Sequence, residues 1–330
     1  MNIVFSLLAV IVLLLLAFIG VDVVGWQYFF GVIMPMATIV IFIIGIVYRV
    51  IKWARSPVPF RITTTCGQQK SLPWFKANNL ESPYNIWGVL GRMFLEVFFF
   101  RSLFRNTKVG LKEGPRLVYG STKWLWLGGL VFHWSFLVVF IRHFKFFAEP
   151  VPAWVLALQN LDGFFQIGLP IIYATDIALL AALTFLFLRR VVDPKLRYIS
   201  LAADYFPLFL IMSIAVTGVL MRYFTKVDII GIKQMAMGWL SLSPVVPEGI
   251  SSLFYMHLFL VCCLFIYFPF SKLLHMAGIF VSPTRNLVNN NRVKRHVNPW
   301  DYPVKLHTYQ EYEDEFREVM KAAEMPLEKE

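Results

Sequence analysis

Four histidines in two strongly apolar segments are the residues of this sequence best placed to do chemistry. His133 and His143 lie ten residues apart in one segment, and His257 and His275 lie eighteen apart in another. A charged side chain at the centre of a bilayer costs about 2.5–3.5 kcal/mol, so ionisable residues there are rare unless they have a function. Imidazole nitrogens bind metals, and two of them can hold a haem iron from opposite sides. The four histidines therefore predict two b-type haems, each held by one histidine from each segment.

The spacing fits this arrangement if the two segments are antiparallel helices. His133 then lies at the same depth as His275, and His143 at the same depth as His257. At 1.5 Å per residue the histidines are separated by about 15 Å along one helix and about 27 Å along the other, so one helix must tilt or the irons must lie off the perpendicular. Eighteen residues make five turns, which predicts that His257 and His275 share one helical face, while His133 and His143 are about 80° apart.

Two other interpretations of these histidines are less favoured. They could hydrogen-bond within a bundle or line a proton path, as in a non-redox transporter or an assembly anchor, but two pairs at matched depths favour haem. Zinc is disfavoured because no pair has i, i+4 spacing and no cysteine or carboxylate lies beside them. Cys66, Cys262 and Cys263 form no C-x-x-C motif, so the sequence lacks the usual attachment motifs for c-type haem and for iron–sulfur clusters. His296 and His307 fall in a hydrophilic tail and are expected to be solvated.

The elements that carry the histidines are predicted to be transmembrane helices. Of the 330 residues, 58% are hydrophobic, and they concentrate in runs close to the roughly 20 residues that cross a bilayer. The sequence predicts an all-α bundle of six spans: 3–20, 28–50, 124–147, 167–188, 204–224 and 252–276. The first is interpreted as a helix and not a signal peptide, because no lysine or arginine precedes its apolar run.

The charge pattern gives an orientation. The net charge is +11, but the basic residues lie between apolar segments, which indicates a membrane protein and argues against nucleic acid as a partner. With both termini cytoplasmic, five of the 31 lysines and arginines fall outside: Arg142, Lys145, Arg222, Lys226 and Lys233. A seventh span at 85–108 would remove this asymmetry, so that segment is predicted to be an amphipathic helix in the membrane interface.

The predicted spans divide the chain into five parts. They are an extra N-terminal helix and outer turn (1–27), a second helix (28–50), a cytoplasmic basic loop with the interfacial helix (51–123), a four-helix haem-binding part (124–278) and a cytoplasmic tail (279–330). The tail turns acidic and helix-like around 311–316, either as a solvated end or as a docking surface for a cytoplasmic subunit.

Several other charged residues could serve the predicted site. Asp176, in the middle of the fourth predicted span, could orient a histidine or relay quinone protons, or it could only hydrogen-bond Thr175 or a neighbouring helix. A set of cations near the two faces could pair with haem propionates or act as ordinary snorkelling anchors: Arg142, Arg222, Arg189, Arg190 and Lys272. A quinone site beside the outer histidine pair would have the candidates Lys145, Asp162 and Asp176.

The histidine spacings of ten and eighteen residues resemble those of the gamma (cytochrome b) subunit of respiratory nitrate reductase. That resemblance implies a five-helix dihaem core formed by the second to sixth spans. It also implies an inner haem on His133 and His275 and an outer haem on His143 and His257. The first span and the insertion 51–123 are additions to that fold.

Sequence motifs in the insertion 51–123 resemble a more specific family. The segment Phe60-Arg-Ile-Thr-Thr-Thr-Cys-Gly-Gln-Gln-Lys-Ser-Leu-Pro-Trp74, the sequence Glu81-Ser-Pro-Tyr-Asn and the helix around Arg92 resemble the M subunits of the membrane DsrMKJOP complexes. Those complexes are associated with dissimilatory sulfite reductase. This resemblance implies two haems b, menaquinone or another quinone, a heterodisulfide reductase-like (DsrK-like) cytoplasmic iron–sulfur partner and the other subunits of such a complex. No substrate-converting site is expected in the chain itself. Gamma subunits of hydrogenase or formate dehydrogenase are the nearest alternative, and the insertion favours the sulfite-associated family.

Overall fold

The structure, a computed structural model, is mostly helical and describes residues 2–58, 67–114, 116–163, 171–292 and 306–328. The all-α class is confirmed, with one β-hairpin as an exception. The longer helices are α1 (Asn2–Phe18), α2 (Met34–Ala54), α3 (Ile86–Phe99), α5 (Lys123–Arg142), α6 (Ala153–Asp162), α7 (Ala174–Val192), α9 (Ala202–Leu220), α10 (Ile229–Leu240), α11 (Ser252–Tyr267) and α14 (Tyr309–Ala322). The shorter ones are α4 (Arg101–Arg105), α8 (Pro194–Ile199), α12 (His275–Val281) and α13 (Pro283–Asn286). Strands β1 (Thr107–Lys112) and β2 (Arg116–Ser121) pair antiparallel.

Five of the described helical stretches are long and apolar enough to cross a bilayer: Asn2–Val23, Phe29–Ala54, Lys123–Phe146, Ala202–Thr225 and Ser252–Phe270. The remaining predicted span, 167–188, overlaps α7. Three charged residues, Asp176, Arg189 and Arg190, lie within the 19 residues of that helix, and residues 164–170 lie outside the described part. The count of six therefore stays a prediction.

The apolar helices pack into one bundle whose two ends can be told apart. Helix α7 packs against α5 and α9, and α1 packs against α9 and α11. A Cβ on Gly128 of α5 would lie 2.6 Å from the Phe185 ring of α7, so glycine is what lets these two helices approach closely. Asn2 donates to the carbonyl of Ser200 at 3.0 Å, which places the start of α1 beside the start of α9. We call this the Asn2 end and the opposite one the Val23 end.

The last predicted span, 252–276, is broken, so the prediction of one continuous helix is wrong. Helix α11 gives way to a 3-10 turn at Phe268–Phe270, extended backbone at Ser271 and a second 3-10 turn before α12 begins at His275. Pro269 has no N–H to continue the α-helical pattern, and the Ser271 hydroxyl accepts from the N–H of Leu273 at 3.2 Å. His257 and His275 therefore lie in different helices and do not share one helical face.

The insertion forms more than the single interfacial helix predicted at 85–108. Phe100 has a left-handed backbone (φ 51°) that separates α3 from α4, and the chain then enters β1 at Thr107. The left-handed turn ends α3, since such a conformation cannot continue a right-handed helix. Helix α3 keeps the predicted amphipathic character, because Trp87, Leu90 and Phe94 on its outward face are exposed.

The buried face of α3 joins the insertion to the start of the tail. Arg92, 2% exposed, donates to the carbonyl groups of Glu81, Arg285 and Leu287. Burial, and next the charge of Arg285, lower the pKa of the Arg92 guanidinium. Glu96 lies 3.2 Å from the Arg285 guanidinium. The segment 282–292 is therefore a structural partner of the insertion.

The hairpin projects from the Asn2 end with both faces exposed. The pairs Val109–Tyr119 and Leu111–Leu117 lie on one face, and the pair Lys112–Arg116 lies on the other. An isolated two-stranded hairpin is at best marginally stable in water. The sequence analysis missed these strands and the helices α6 and α10. The acidic segment near 311–316, predicted to be helix-like, lies within α14.

Candidate functional site

The four span histidines come together as two pairs, one near each end of the bundle. The rings of His133 and His275 have centroids 6.0 Å apart with planes at 87°, and those of His143 and His257 are 6.4 Å apart with planes at 10°. A first-row metal takes an imidazole nitrogen at about 2.0 Å, which puts the centroids of two opposed ligands roughly 6 Å apart. Each pair is therefore spaced for a single metal ion between its rings.

The Nδ1 nitrogen of each of the four histidine rings already has a hydrogen-bond partner. The acceptors for three Nδ1 atoms are backbone carbonyls at 2.7–2.8 Å: Gly129 for His133, Val139 for His143 and Lys272 for His275. A carbonyl can only accept, so each of these Nδ1 atoms carries the proton and Nε2 is left with a free lone pair. Such outer hydrogen bonds fix the tautomer and the orientation of a metal-binding histidine.

His257 uses a side chain for the same purpose. Its Nδ1 lies 2.9 Å from the Thr217 hydroxyl, which itself donates to the Ser213 carbonyl at 2.8 Å. The hydroxyl therefore accepts from Nδ1–H, and Nε2 of His257 is again the free nitrogen. Gly218 lies alongside, where a Cβ would be 3.5 Å from Cε1 of the ring. The sequence analysis missed Thr217, although a hydroxyl in an apolar helix could have drawn attention to it.

The donor set fits haem better than a bare metal ion. Among the described residues, no three side chains of histidine, cysteine, aspartate or glutamate gather round a common point. Each pair thus offers two imidazole nitrogens, and the remaining ligands of a six-coordinate iron would have to come from a macrocycle. Cys66 and His296 lie outside the described residues. His307 lies in the tail, where its ring is 3.8 Å from the Glu315 carboxylate of α14, and it belongs to neither histidine pair.

A buried ionic cluster adjoins the His143–His257 pair at the Val23 end. Arg142, 7% exposed, forms ion pairs with Asp162 at 3.3 Å and with Asp176. Asp162 also accepts from the N–H and the hydroxyl of Thr175, at 2.9 and 2.6 Å. Asp176 accepts from the Tyr223 hydroxyl at 2.8 Å. The positive charge of Arg142 is thus compensated by two carboxylates of the chain itself.

The structure corrects the prediction for Asp176. Its carboxylate lies in the first turn of α7 and not in the middle of a span, because the helix begins at Ala174. A negative charge is favourable there, beside the helix N-terminus. Thr175 bonds Asp162 and not Asp176, but the other part of the structural alternative agrees with the structure, since Asp176 is bound by Arg142 and Tyr223 from neighbouring elements.

Two cations near the same histidine pair have no anionic partner in the described part of the chain. The Nε of Arg222 is buried without a hydrogen bond, and one terminal nitrogen donates to the Ile171 carbonyl at 3.3 Å. Lys145 interacts electrostatically with the cations Arg222 and Arg142 and with the carboxylate of Asp176, but forms no ion pair among the described residues. An anionic group between Arg222 and Lys145 would compensate both charges.

At the Asn2 end, the predicted cations are partly engaged. Lys272 pairs with Asp204 at 2.8 Å, and the Arg190 guanidinium donates to the Ser200 hydroxyl at 3.2 Å. Arg189 lies in the same last turn of α7.

The insertion reaches the histidine pair at the Asn2 end, which the sequence analysis did not foresee. The Phe100 ring packs 4.9 Å from that of His133. Trp126 and Trp134 of α5 donate to the carbonyls of Phe99 and Phe98, at 2.7 and 3.1 Å. The left-handed turn that ends α3 is therefore fixed against the helix that carries His133.

The chain is similar to proteins of known class over most of its length. Residues 85–296 match the nitrate reductase gamma subunit family. A protein of Archaeoglobus fulgidus is 45% identical over 279 residues, which cover 82% of this chain and 83% of that protein. A protein of Archaeoglobus profundus is 42% identical over 275 residues, or 81% of each. Both relatives are named Hdr-like menaquinol oxidoreductase cytochrome b-like subunit.

Proposed function

This chain belongs to the nitrate reductase gamma subunit family, and we propose from that premise that it is a dihaem cytochrome b subunit linking membrane quinol to a cytoplasmic iron–sulfur protein. The observation that carries the proposal is the placement of two histidine pairs with centroids 6.0 and 6.4 Å apart and each Nδ1 already engaged. The relatives' printed names, which include a cytochrome b-like subunit and a menaquinol oxidoreductase, support it.

The residues of the chain divide the work of holding the two groups. Nε2 of His133 and His275 would ligate the inner haem, and Nε2 of His143 and His257 the outer one. Arg222, which forms no ion pair with any described residue, and the last-turn cations Arg189 and Arg190 of α7 are the favoured propionate partners, whereas Arg142 and Lys272 are already paired. The haems would supply one-electron transfer, which connects a two-electron quinol to one-electron iron–sulfur clusters.

The Asn2 end is proposed to be the cytoplasmic one, with both termini inside and α7 as the sixth span. The positive-inside rule supports this, because five of the 31 lysines and arginines then lie outside. The packing of α7 against α5 and α9 also supports it, since α7 connects the Val23 end to the Asn2 end. The His133–His275 pair would then lie toward the cytoplasm, where a soluble partner can approach.

The quinol site is proposed beside the outer pair. Lys145 is the polar group there that has no ion pair in the described part of the chain, and it could bind a quinone oxygen. Asp162 and Asp176 are held by Arg142, which suits them better to shaping this end of the bundle than to contact with the quinol. Menaquinol is the first choice of substrate, because the relatives' name specifies it.

The experiment that tests this function is spectroscopy of the purified chain before and after addition of a menaquinol analogue. We expect reduced-minus-oxidised bands of b-type haem at about two haems per chain, since each histidine pair holds one. We also expect the quinol to reduce them. A His257→Ala variant should lose reduction by quinol, because the outer site is the point of entry. A colourless protein would favour the transporter or anchor interpretation.

The partner is proposed to be a heterodisulfide reductase-like (DsrK-like) iron–sulfur subunit within a DsrMKJOP-type complex of dissimilatory sulfur metabolism. The insertion motif supports this finer assignment, although residues 59–66 lie outside the described part. The hairpin β1–β2 offers a contact surface at the Asn2 end, with the apolar pairs Val109–Tyr119 and Leu111–Leu117 exposed. Lys112 and Arg116 on its other face favour an acidic partner.

Changing Leu117 to glutamate should reduce co-purification of the iron–sulfur subunit with the chain from native membranes, because it places a charge in the apolar face of the hairpin. Val118→Glu is the matched control, since Val118 is adjacent but points to the opposite face. The haem content of both variants should equal that of the parent. If neither substitution, or both equally, weakened recovery of the partner, the apolar face of the hairpin would not be the contact.

A further inference from the structure

Arg49, near the Asn2 end of α2, is a cation without an anion. Its Nε is buried and has no hydrogen-bond partner, and the side chain forms no ion pair with any described residue. Its guanidinium carbon lies 5.5 Å from the centre of the Trp53 ring. The side chain as a whole is half-buried, and a buried guanidinium N–H that lacks an acceptor is costly. The position therefore indicates a ligand that supplies negative charge.

Arg49 faces the broken segment that carries His275. Gly45, Arg49 and Trp53 are spaced by four residues, so they share one face of α2. A Cβ on Gly45 would lie 2.8 Å from Pro269, and one on Gly278 would lie 3.8 Å from the Trp53 ring. The face of α2 that holds Arg49 thus runs along the chain from Pro269 to Gly278, and His275 is in that stretch.

Two of the neighbouring cations at this end are already engaged, while Arg189 in the last turn of α7 remains, like Arg49, a candidate for the same anion. Lys272 is bound to Asp204, and Arg190 donates to Ser200. Because Asp204 is taken up by Lys272, it cannot serve as the missing anion of Arg49. The free anion must come from outside the described side chains.

We infer that Arg49 is a carboxylate-binding residue that holds a propionate of the haem proposed between His133 and His275. This inference rests on the proposed function. A guanidinium can bind a carboxylate through two parallel N–H···O bonds, and such a pair is stronger than a neutral hydrogen bond. A phospholipid phosphate would offer similar oxygens, so the test must separate these two sources.

The test is a redox titration of the inner haem alone, monitored by its absorption bands. In a His257→Ala background, which should retain only the inner haem, Arg49→Gln is expected to lower the midpoint potential, because loss of a nearby cation favours ferric iron. Arg49→Lys keeps the charge and should shift the potential less. Lys52→Gln, which removes an exposed charge from the same helix, should leave it unchanged. In a His133→Ala background, Arg49→Gln should not move the potential of the outer haem.

The possible results distinguish failure of the Arg49 inference from failure of the proposed dihaem function. An unchanged inner potential in Arg49→Gln, with the haem content intact, would mean that Arg49 binds a lipid phosphate or nothing, and would overturn the inference while leaving the dihaem function standing. Loss of the inner haem alone in an otherwise wild-type Arg49→Gln chain would support it. If Arg49→Gln does not accumulate, Arg49→Met in the same background takes its place, and an inner-haem potential identical to that of the parent counts against the inference. Absence of haem from the parent chain would overturn the function itself.

Discussion

Replacing His133 with alanine is expected to remove one haem and keep the other, and replacing His257 is expected to remove the opposite one. Each substitution takes one ligand from a different pair, because His133 faces His275 and His143 faces His257. Haem per chain, measured as the pyridine haemochrome, should fall from about two to about one in either variant.

The two remaining haems should also differ in their electron paramagnetic resonance signals. The ring planes are nearly perpendicular for His133 and His275 (87°) and nearly parallel for His143 and His257 (10°). Perpendicular axial imidazoles give low-spin ferric signals of greater anisotropy than parallel ones. His307→Ala, in the exposed tail, is the control and should keep both signals. If His133→Ala and His257→Ala removed the same signal, the proposed pairing would be wrong.

Replacing Arg142 with methionine is expected to destabilise the folded chain by about 3–5 kcal/mol, the range found when one partner of a buried ion pair is removed. The change would leave Asp162 and Asp176 without their shared counter-charge. The apparent melting temperature of the detergent-solubilised protein measures the effect. Lys233→Met is the control, because its partner Glu149 is exposed and a surface pair contributes about 0–1 kcal/mol.

The reason for the loss can be tested by removing the carboxylates as well. The triple variant Arg142→Met, Asp162→Asn, Asp176→Asn should recover part of the stability, since no unpaired charge is then left buried. Equal melting temperatures for Arg142→Met and Lys233→Met would show that the cluster is better solvated than its burial indicates. A triple variant less stable than the single one would show that the aspartates contribute mainly through their bonds to Thr175 and Tyr223.

The juxtaposition of the histidines could be predicted from sequence because membrane depth is nearly a linear function of residue number in a span. Ten residues along one helix and eighteen along an opposed one leave few ways to pair four imidazoles. The all-α class followed from the same apolar runs, without any need to know which helices touch. The mismatch between about 15 Å and about 27 Å required either a tilted helix or irons off the perpendicular, and it did not predict the break in the second helix.

The features that could not be predicted depend on contacts between distant parts of the chain. The break at Pro269 could have been suspected from the proline, but its extent depends on Ser271 and on packing against Gly45. The strands of the hairpin are short, so their alternation of apolar and polar residues is not distinctive in the sequence. The roles of Thr217 and Arg142 come from neighbours on other helices, Thr217 from His257 and Arg142 from Asp162 and Asp176.

The hydrogen bonds of Arg92 impose an order on biogenesis. Two of the carbonyls that accept from this guanidinium belong to Arg285 and Leu287, so one bond joins residues 193 positions apart in the chain. At 5–20 residues per second, a ribosome needs roughly 10–40 s to make that intervening stretch. The insertion therefore lacks these contacts for that time, while the rest of the chain is being synthesised. Because the same insertion packs Phe100 against His133, the surroundings of the His133–His275 pair are completed near the end of translation.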